Sequence, residues 1–394
     1  MNRLTKRCSL VLASLAVIAT VAGCASNKAE VEAEAARVAA EAAALARLPP
    51  PISLNDGVAQ SAAVYLAFTR EMATLSGGFA DADSVQAALR KGSAYDPAQI
   101  SQGLIAYASI LALQSPEFVA GIRQYAGDPA TRQKLVADIV ANPAYASILP
   151  GADAAAGLII ATLAVEIDAL GRAADSIESD AYTIQERDDP RRAWAVAHIS
   201  DRVTRLEAAK AGSAEAMLPS PEESARLLAA GTSGTGLAVS IGRPRTGPYP
   251  PAVTNALALA ALAALGAAGE NARANTDALQ GEAKSEACLN SSKLNLYQCL
   301  AASRPSYEDM FCVGRHIVRD LATCARGSAM PGPIITVSNP ETVREPVIVT
   351  APLSPLAPTP GMAPTPTPAT PLEASPTSRL NTGVGRPVQS PTPD

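Results

Sequence analysis

Four cysteines near the C-terminal end of the chain have a spacing suited to covalent crosslinking. Cys288, Cys299, Cys312 and Cys324 form the pattern Cys-x10-Cys-x12-Cys-x11-Cys. An even number of cysteines is typical of disulfide frameworks in oxidising compartments. A zinc site with four thiolate ligands is the alternative, but the paired Cys-x2-Cys knuckles typical of such sites are missing. The pattern therefore predicts two disulfide bonds.

The segment Arg304-Pro305-Ser306 indicates how these cysteines pair, because it should form the turn between two helical stretches. Cys299 and Cys312 are about equally far from this turn, as are Cys288 and Cys324 to within two residues. A step of 11 residues, as from Cys288 to Cys299, is close to three helical turns, whereas the step of 12 from Cys312 to Cys324 overshoots by roughly a third of a turn. We expect a helical hairpin over residues 285–326 with the nested pairs 299–312 and 288–324.

This arrangement is similar to the coiled-coil-helix-coiled-coil-helix family, whose hairpins carry twin Cys-x9-Cys helices. The spacing departs from that family in both helices. The resemblance therefore concerns the way in which two disulfides crosslink a helical hairpin, and it is not evidence of common descent. Each bridge is expected to stabilise the fold by about 2 to 4 kcal/mol.

Side chains suited to catalysis or metal binding are few. The chain has two histidines, His198 and His316, and neither has metal-ligand spacing to a second histidine. We expect His198, on the same helix as Trp194, and His316, within the cysteine hairpin, to be hydrogen-bonded structural residues. The sequence contains no nucleophile elbow, phosphate loop or dinucleotide fingerprint, so we expect no enzyme activity, no cofactor and no metal site.

Two carboxylates, Glu166 and Asp168, interrupt the apolar run over residues 158–170. A carboxylate in such a run needs a partner if it is buried. We expect Glu166 to lie at the boundary of the core and to pair with an arginine. The alternative is that it forms one half of a buried polar pair or of an acid/base site.

A further group of acidic residues alternates with arginines and predicts a solvated, salt-bridged face. Its carboxylates are Asp175, Glu178, Asp180, Glu186, Asp188 and Asp189.

An export signal precedes the elements that position these residues. Three basic residues lie within the first seven, and an apolar stretch runs from Leu10 to Val21, which is the layout of a signal peptide over residues 1–23. The run Val21-Ala22-Gly23-Cys24 resembles the lipobox of bacterial lipoproteins. The resemblance implies cleavage before Cys24 and acylation of its thiol and of the new N-terminus by fatty acids such as palmitate. An ordinary cleaved signal peptide is the alternative.

The residue after the cysteine bears on the destination. In the lipoprotein family an Asp at that place is the usual signal for retention in the inner membrane, and here the residue is Ala25. The resemblance therefore implies the outer membrane.

A helical stalk is expected over residues 24–51. Ala, Glu and Arg dominate it, and Val31, Val38 and Leu45 recur every seven residues. Two heptads are too few to establish a coiled coil, so we expect a stalk that lifts the body off the membrane, with an oligomerisation helix as the alternative. Pro49-Pro50-Pro51 ends the helix.

The body, residues 52–328, is expected to be an all-α multi-helix bundle. Aromatic residues are 4% of the chain while small aliphatic residues dominate, which favours closely packed helices over a β-sandwich. Five capping oxygens followed by proline predict helices over 97–114, 116–126, 129–141 and 190–211 and another start at Pro221. A long helix is expected from 152 to about 186 and a central core helix over the uncharged stretch 252–269, whereas 231–251 is a loop and the best internal boundary.

Residues 329–394 hold 16 of the chain's 32 prolines. Such a segment cannot bury enough apolar surface to fold, so we expect a disordered Pro/Thr-rich tail. Two short β-prone pieces, 334–337 and 347–350, are candidates for adding to the sheet edge of a partner.

Composition limits the function further. A net charge of -5, with both signs spread along the chain, predicts no nucleic-acid surface. We expect a lipid-anchored envelope protein, facing the periplasm or the cell surface, with a structural or protein-interaction role. The alternative is a small-molecule binding or transport-accessory lipoprotein with an apolar groove between helices around 152–170 and 252–265.

Overall fold

The structure is a computed structural model that describes residues 28–46, 48–186 and 190–332. Within these ranges fifteen α-helices form the fold and no strand occurs, so the predicted all-α class is confirmed. The described residues all belong to one compact unit. The expected signal peptide, Cys24 and residues 333–394 of the expected tail lie outside the described residues.

The helices are numbered here in chain order. The first eight are α1 (Lys28–Ala46), α2 (Asp56–Thr74), α3 (Ala82–Ser93), α4 (Pro97–Ala112), α5 (Pro116–Arg123), α6 (Pro129–Ala141), α7 (Ala152–Glu186) and α8 (Ala193–Val196). The rest are α9 (Arg202–Gly212), α10 (Pro221–Ser233), α11 (Pro251–Ala264), α12 (Arg273–Gln280), α13 (Ala283–Ala302), α14 (Ser306–Val313) and α15 (Asp320–Ala329). Short 3-10 turns lie at Pro143–Ile148, Pro190–Arg192 and Glu270–Ala272, and a π-helix at Gly314–Arg319.

Four of the predicted helix starts are capped as the sequence indicates. The side chains of Asp96, Ser115, Asp128 and Ser220 each accept a hydrogen bond from the backbone N–H three residues later. Such caps satisfy N–H groups that have no partner inside the helix. The fifth start differs, because Pro190 opens only a three-residue 3-10 turn.

Helix α11 lies in the core, as its uncharged sequence predicts. Its side chains from Ala256 to Ala264 are all 0% exposed, and the helix contacts α4, α7, α12 and the 3-10 turn at Pro143–Ile148. Small residues also bring α2 and α4 close together. A Cβ atom added at Gly103 would lie 2.4 Å from the carbonyl oxygen of Ser61, so the two backbones touch at that point.

Helix α7 has the predicted bounds and carries both Glu166 and Asp168. It contacts α2, α4 and the C-terminal hairpin. Among the described helices, residues 152–185 of α7 are long and apolar enough to cross a membrane, and 50% of the most apolar stretch is buried within the protein. The bent pair α4 and α5, with an angle of 82°, meets the same test when counted as one span.

The loop expected near 231–251 runs from Gly234 to Pro250 and packs along α7. Ser240 N–H donates to the Thr162 hydroxyl at 3.0 Å. A Cβ atom at Gly242 would lie 1.9 Å from the carbonyl oxygen of Gly157, so only glycine allows this approach. Helices α10 and α11, before and after the loop, contribute to the same hydrophobic core.

The continuous helix predicted over residues 190–211 is wrong in its middle. Helix α8 ends at Val196 and α9 begins at Arg202, which removes His198 from a helix. Ile199 N–H donates to the carbonyl oxygen of Arg304 at 2.8 Å, and His198 and Pro305 form an antiparallel bridge. Hydrogen bonds to the distant hairpin turn replace those of the helix, and local propensity does not reveal them.

The cysteine hairpin is confirmed. Helix α13 ends at Ala302 and α14 begins at Ser306, on either side of the predicted turn. Disulfide bonds join Cys288 to Cys324 and Cys299 to Cys312, which is the nested pairing that the spacing favoured. All four of these cysteines are therefore paired in disulfide bonds.

The π-helix removes the mismatch expected on the second arm of the hairpin. It lies between Cys312 and Cys324. Its hydrogen bonds span five residues instead of four, so each turn holds more residues than an α-helical turn. The wider turns of the π-helix compensate for the surplus third of a turn. The Cα atoms of Cys288 and Cys324 are 5.6 Å apart and those of Cys299 and Cys312 are 5.8 Å apart, which are usual separations for disulfides.

Candidate functional site

The buried carboxylate Glu166 has a different partner from the one expected. The Tyr107 hydroxyl donates to Glu166 Oε1 at 2.9 Å, and Glu166 Oε2 is buried without a hydrogen-bond partner. The predicted pairing with an arginine is therefore wrong for Glu166. Asp168, two residues further along and on the exposed side of the helix, is the one that pairs with an arginine: its Oδ1 accepts from Arg326 Nη2 at 2.6 Å.

Burial governs the protonation of this pair. Desolvation raises the pKa of Glu166, while the Tyr107 hydrogen bond and the charge of Arg70 act in the opposite direction. Burial and the adjacent carboxylate raise the pKa of Tyr107 as well. The ring of Tyr65 lies 6.1 Å from that of Tyr107, so the carboxyl group is held among aromatic rings. The raised pKa favours the protonated form of Glu166. No second acid or base contacts Glu166 in the described residues, so no partner for proton transfer is present there.

The two histidines occupy different settings. His316 Nδ1 lies 3.2 Å from Asp320 Oδ2, and the His316 ring meets the ring of Phe311 edge to face at 6.5 Å, which fits the expected hydrogen-bonded structural role. The His198 side chain is exposed, and only its backbone contacts the hairpin, through the bridge to Pro305. The expected hydrogen-bonded side chain is therefore not observed for His198. The part of the chain that the structure describes contains no group of three side chains able to hold a metal ion.

The acidic face of α7 is salt-bridged, as predicted, but its main cation comes from the hairpin. Arg319 in the π-helix donates to Glu178 at 2.6 Å and to Asp175 at 2.5 Å. Arg192 donates to Asp180 Oδ2 at 2.8 Å. These pairs bind α7 to the hairpin and to the segment that follows α7. Asp188, Asp189 and the side chain of Glu186, the other members of the predicted acidic group, lie outside the described part of the chain.

A buried ion pair, which the sequence did not indicate, holds α9 against the hairpin. Arg205 Nη1 donates to Asp309 Oδ2 at 2.5 Å, and the two side chains are 7% and 0% exposed. Asp309 also accepts from Gln86 at 2.8 Å and from the Ser303 hydroxyl at 2.6 Å. Buried charges need such partners. No local pattern marks the pair, because 104 residues separate its members.

A polar cavity of about 360 Å³ lies where α2, α4, α12 and the loop before α10 meet. Apart from Gly57 and the apolar Val64, Met217 and Pro219, its lining is polar: Gln60, Ser61, Gln99, Gln102, Arg273, Asp277 and Gln280. Four of the eleven glutamines in the chain line this single space. Of these glutamines Gln280 is buried and Gln99 half-buried, whereas Gln60 and Gln102 are exposed.

The walls of the polar cavity are fixed by hydrogen bonds. The Gln99 amide accepts from Met217 N–H at 2.9 Å and donates to its carbonyl oxygen at 3.2 Å, which holds the loop against α4. The Asn55 amide donates to the Thr276 hydroxyl at 2.8 Å, which holds α12 against the start of α2. The cavity is therefore largely formed before any ligand binds, as small-molecule sites usually are.

The apolar groove expected between 152–170 and 252–265 is not an open space along those helices. The side chains of α11 from Ala256 to Ala264 are fully buried, and the two helices contact each other. A second cavity, of about 670 Å³, lies at one end, lined by Ile160, by the loop from Pro244 to Pro251 and by Gly327 with residues 330–332. Space for a ligand therefore exists beside the start of α11 rather than along its contact with α7.

Comparison with known proteins gives no family. No protein-family model matches the chain, and no curated protein or solved structure is significantly similar to it.

Proposed function

We propose that this chain is a lipid-anchored protein of the bacterial envelope, attached through Cys24, which holds a helical body and a Pro/Thr-rich segment for contact with protein partners. The observation that carries this proposal is the disulfide hairpin, since two structural disulfides are typical of exported proteins and rare in the cytosol. The lipobox-like run ending at Cys24 supplies the anchor. With two or more acyl chains, attachment is stable, whereas one chain gives only marginal binding.

A structural or interaction role fits the described body better than catalysis. Its helices share one hydrophobic core. Glu166 is held by a tyrosine and the fully buried Asp309 by Arg205, and neither carboxylate contacts a second acid or base within the described residues. Helix α1 presents Val31 and Val38 to solvent, 59% and 55% exposed, as a stalk between membrane and body or a contact helix would.

Intact-mass analysis of the mature protein tests the anchor. Cleavage before Cys24 with acyl chains on the new N-terminal residue is expected, together with recovery in the membrane fraction. Cys24→Ser should abolish both. Cys8→Ser is the matched control, since Cys8 lies within the signal-like segment, ahead of the lipobox, and should leave processing unchanged. A mature protein without acyl mass would contradict the proposal.

Small-molecule binding is the second candidate function. The polar cavity favours it, because a preformed space of about 360 Å³ lies within the size range of small-ligand sites. An apolar transport groove receives less support, since the helices expected to line it are packed together.

A further inference from the structure

We infer that the polar cavity binds a small hydroxylated amine, of the amino-sugar or amino-alcohol class, through Asp277 and Gln280. This inference rests on the second proposed function and names its ligand class. It is independent of the lipid anchor, which is tested by mass and fractionation.

The one lining atom that is buried without a hydrogen-bond partner in the described residues is an acceptor, and the exposed carboxylate of Asp277 is a second acceptor. Gln280 is 3% exposed; its Nε2 donates to the Thr276 carbonyl oxygen at 3.2 Å, while its Oε1 is buried without a partner. Asp277 lies three residues earlier on the same face of α12, and its carboxylate has no hydrogen bond or ion pair within the described residues. A ligand that satisfies both groups must bring N–H or O–H donors.

Charge favours an amine over an anion. Arg273, the one cation in the lining, is already paired with Glu270 at 3.0 Å. Asp277 therefore remains as the uncompensated charge, and a phosphate or carboxylate ligand would meet repulsion there. A charge-assisted hydrogen bond from an ammonium group to Asp277 is about twice as strong as a neutral one.

The other lining groups suit hydroxyls. The amides of Gln60 and Gln102 and the hydroxyl of Ser61 each offer both a donor and an acceptor, which is what a ligand hydroxyl requires. The volume of about 360 Å³ is at the lower end of the range for small-molecule sites. A single hexosamine ring is of the right scale, whereas a peptide or a long glycan is too large.

Titration calorimetry of the purified full chain with glucosamine, glucose and glucose 6-phosphate tests the inference. These probes share a hexose ring and differ in charge. Glucosamine should bind, glucose should bind about tenfold or more weakly, and glucose 6-phosphate should not bind detectably, because loss of a charge-assisted hydrogen bond changes affinity by about tenfold or more.

Variants separate this site from binding elsewhere. Asp277→Asn and Gln280→Met should each weaken glucosamine binding by about tenfold, with unchanged circular dichroism. Asp83→Asn is the matched control, since Asp83 is an exposed carboxylate on α3, away from the cavity, and affinity should not change. Absence of glucosamine binding, equal binding of glucosamine and glucose, or full affinity in both cavity variants would each overturn the inference.

Discussion

At the scale of single residues, the carboxylate of Glu166 is partnered by a tyrosine, whereas the fully buried Asp309 is partnered by an arginine. Glu166 shares one hydrogen bond with Tyr107 and leaves Oε2 unpartnered. Removal from water costs the charged carboxylate more free energy than the neutral carboxyl group, and this is why burial raises the pKa of Glu166.

Glu166→Gln should therefore change how stability depends on pH. A carboxyl group with a raised pKa binds more protons folded than unfolded, so its contribution is present at low pH and falls as the pH rises above the ordinary value of 4.5 through the folded pKa. Glutamine stays neutral, so the variant should lose this decline and be more stable than the wild type at neutral pH. Urea unfolding between pH 4 and 8 would measure it.

Asp168→Asn is the control for this series. Asp168 is exposed on the same helix and paired with Arg326, and surface pairs contribute little, about 0 to 1 kcal/mol. In the Asp168→Asn variant the free energy of unfolding should decline with rising pH as it does in the wild type. An identical pH slope in Glu166→Gln and wild type would show that Glu166 is not the group responsible.

At the scale of elements, small residues decide how closely the helices pack. A Cβ atom at Gly103 would lie 2.6 Å from Tyr65 Cβ and closer still to a backbone oxygen of α2, so α4 can reach α2 only through glycine. Gly171 in α7 is the opposite case, with nothing within 4 Å of an added Cβ. The sequence shows both as glycines within helices and cannot distinguish them.

Gly103→Ala should destabilise the protein by about 1 to 3 kcal/mol, because the helices must separate to admit a methyl group. Gly171→Ala should stabilise it by about 0.5 to 1 kcal/mol, since alanine favours the helix and meets no obstacle. Chemical denaturation of both variants measures the difference. A stabilising effect at Gly103 would contradict the close approach.

The hairpin shows how two elements of unequal spacing are matched. Eleven residues separate the cysteines of α13, and the π-helix brings the 12-residue spacing of the other arm into the same register. The π-helix therefore accommodates the extra residue of the second arm, and no motif in the sequence marks this position. Arg315, in that π-helix, is exposed, so its side chain contributes no core contact.

Deletion of Arg315 should convert the π-helix into α-helix and leave both disulfides able to form, because 11 residues then span the second arm. Insertion of an alanine after Arg315 should instead rotate Cys324 away by roughly a further third of a turn and prevent the 288–324 bond. Non-reducing peptide mapping distinguishes them. Loss of the bond in the deletion variant would argue against this account of the register.

At the scale of the whole molecule, the body ends slightly later than the composition indicates. The tail is expected from residue 329, but Ala329 is the last residue of α15 and fully buried, and Met330 packs against the core. Residues 333–394 lie outside the described residues. A truncation that respects the core therefore begins after Gly332.

Removal of residues 333–394 should leave helicity and membrane fractionation unchanged, since the disulfides and core precede this point, and should remove co-purifying envelope proteins. Circular dichroism, fractionation and crosslinking pull-down measure these outcomes. Removal from residue 325 is the informative contrast, because it also deletes buried α15 residues and should lower stability. Retention of all partners by the shorter truncation would favour ligand binding over a tail-mediated interaction role.

The sequence by itself determined the features that depend on neighbouring residues. Proline behind a capping oxygen set the starts of α4, α5, α6 and α10, because cap and first turn are local. The uncharged run over 252–269 identified the core helix, and cysteine spacing around Arg304-Pro305-Ser306 identified the nested disulfides. These signals require no knowledge of distant chain segments.

Only the tertiary structure decided the features that join distant segments. The break near His198, the Arg205–Asp309 pair and the tyrosine partner of Glu166 each depend on residues tens of positions away. The polar cavity likewise combines α2, α4 and α12, whose glutamines look like ordinary surface residues along the chain. Long-range hydrogen bonds and close packing override local propensity, so neither composition nor periodicity encodes these contacts in readable form.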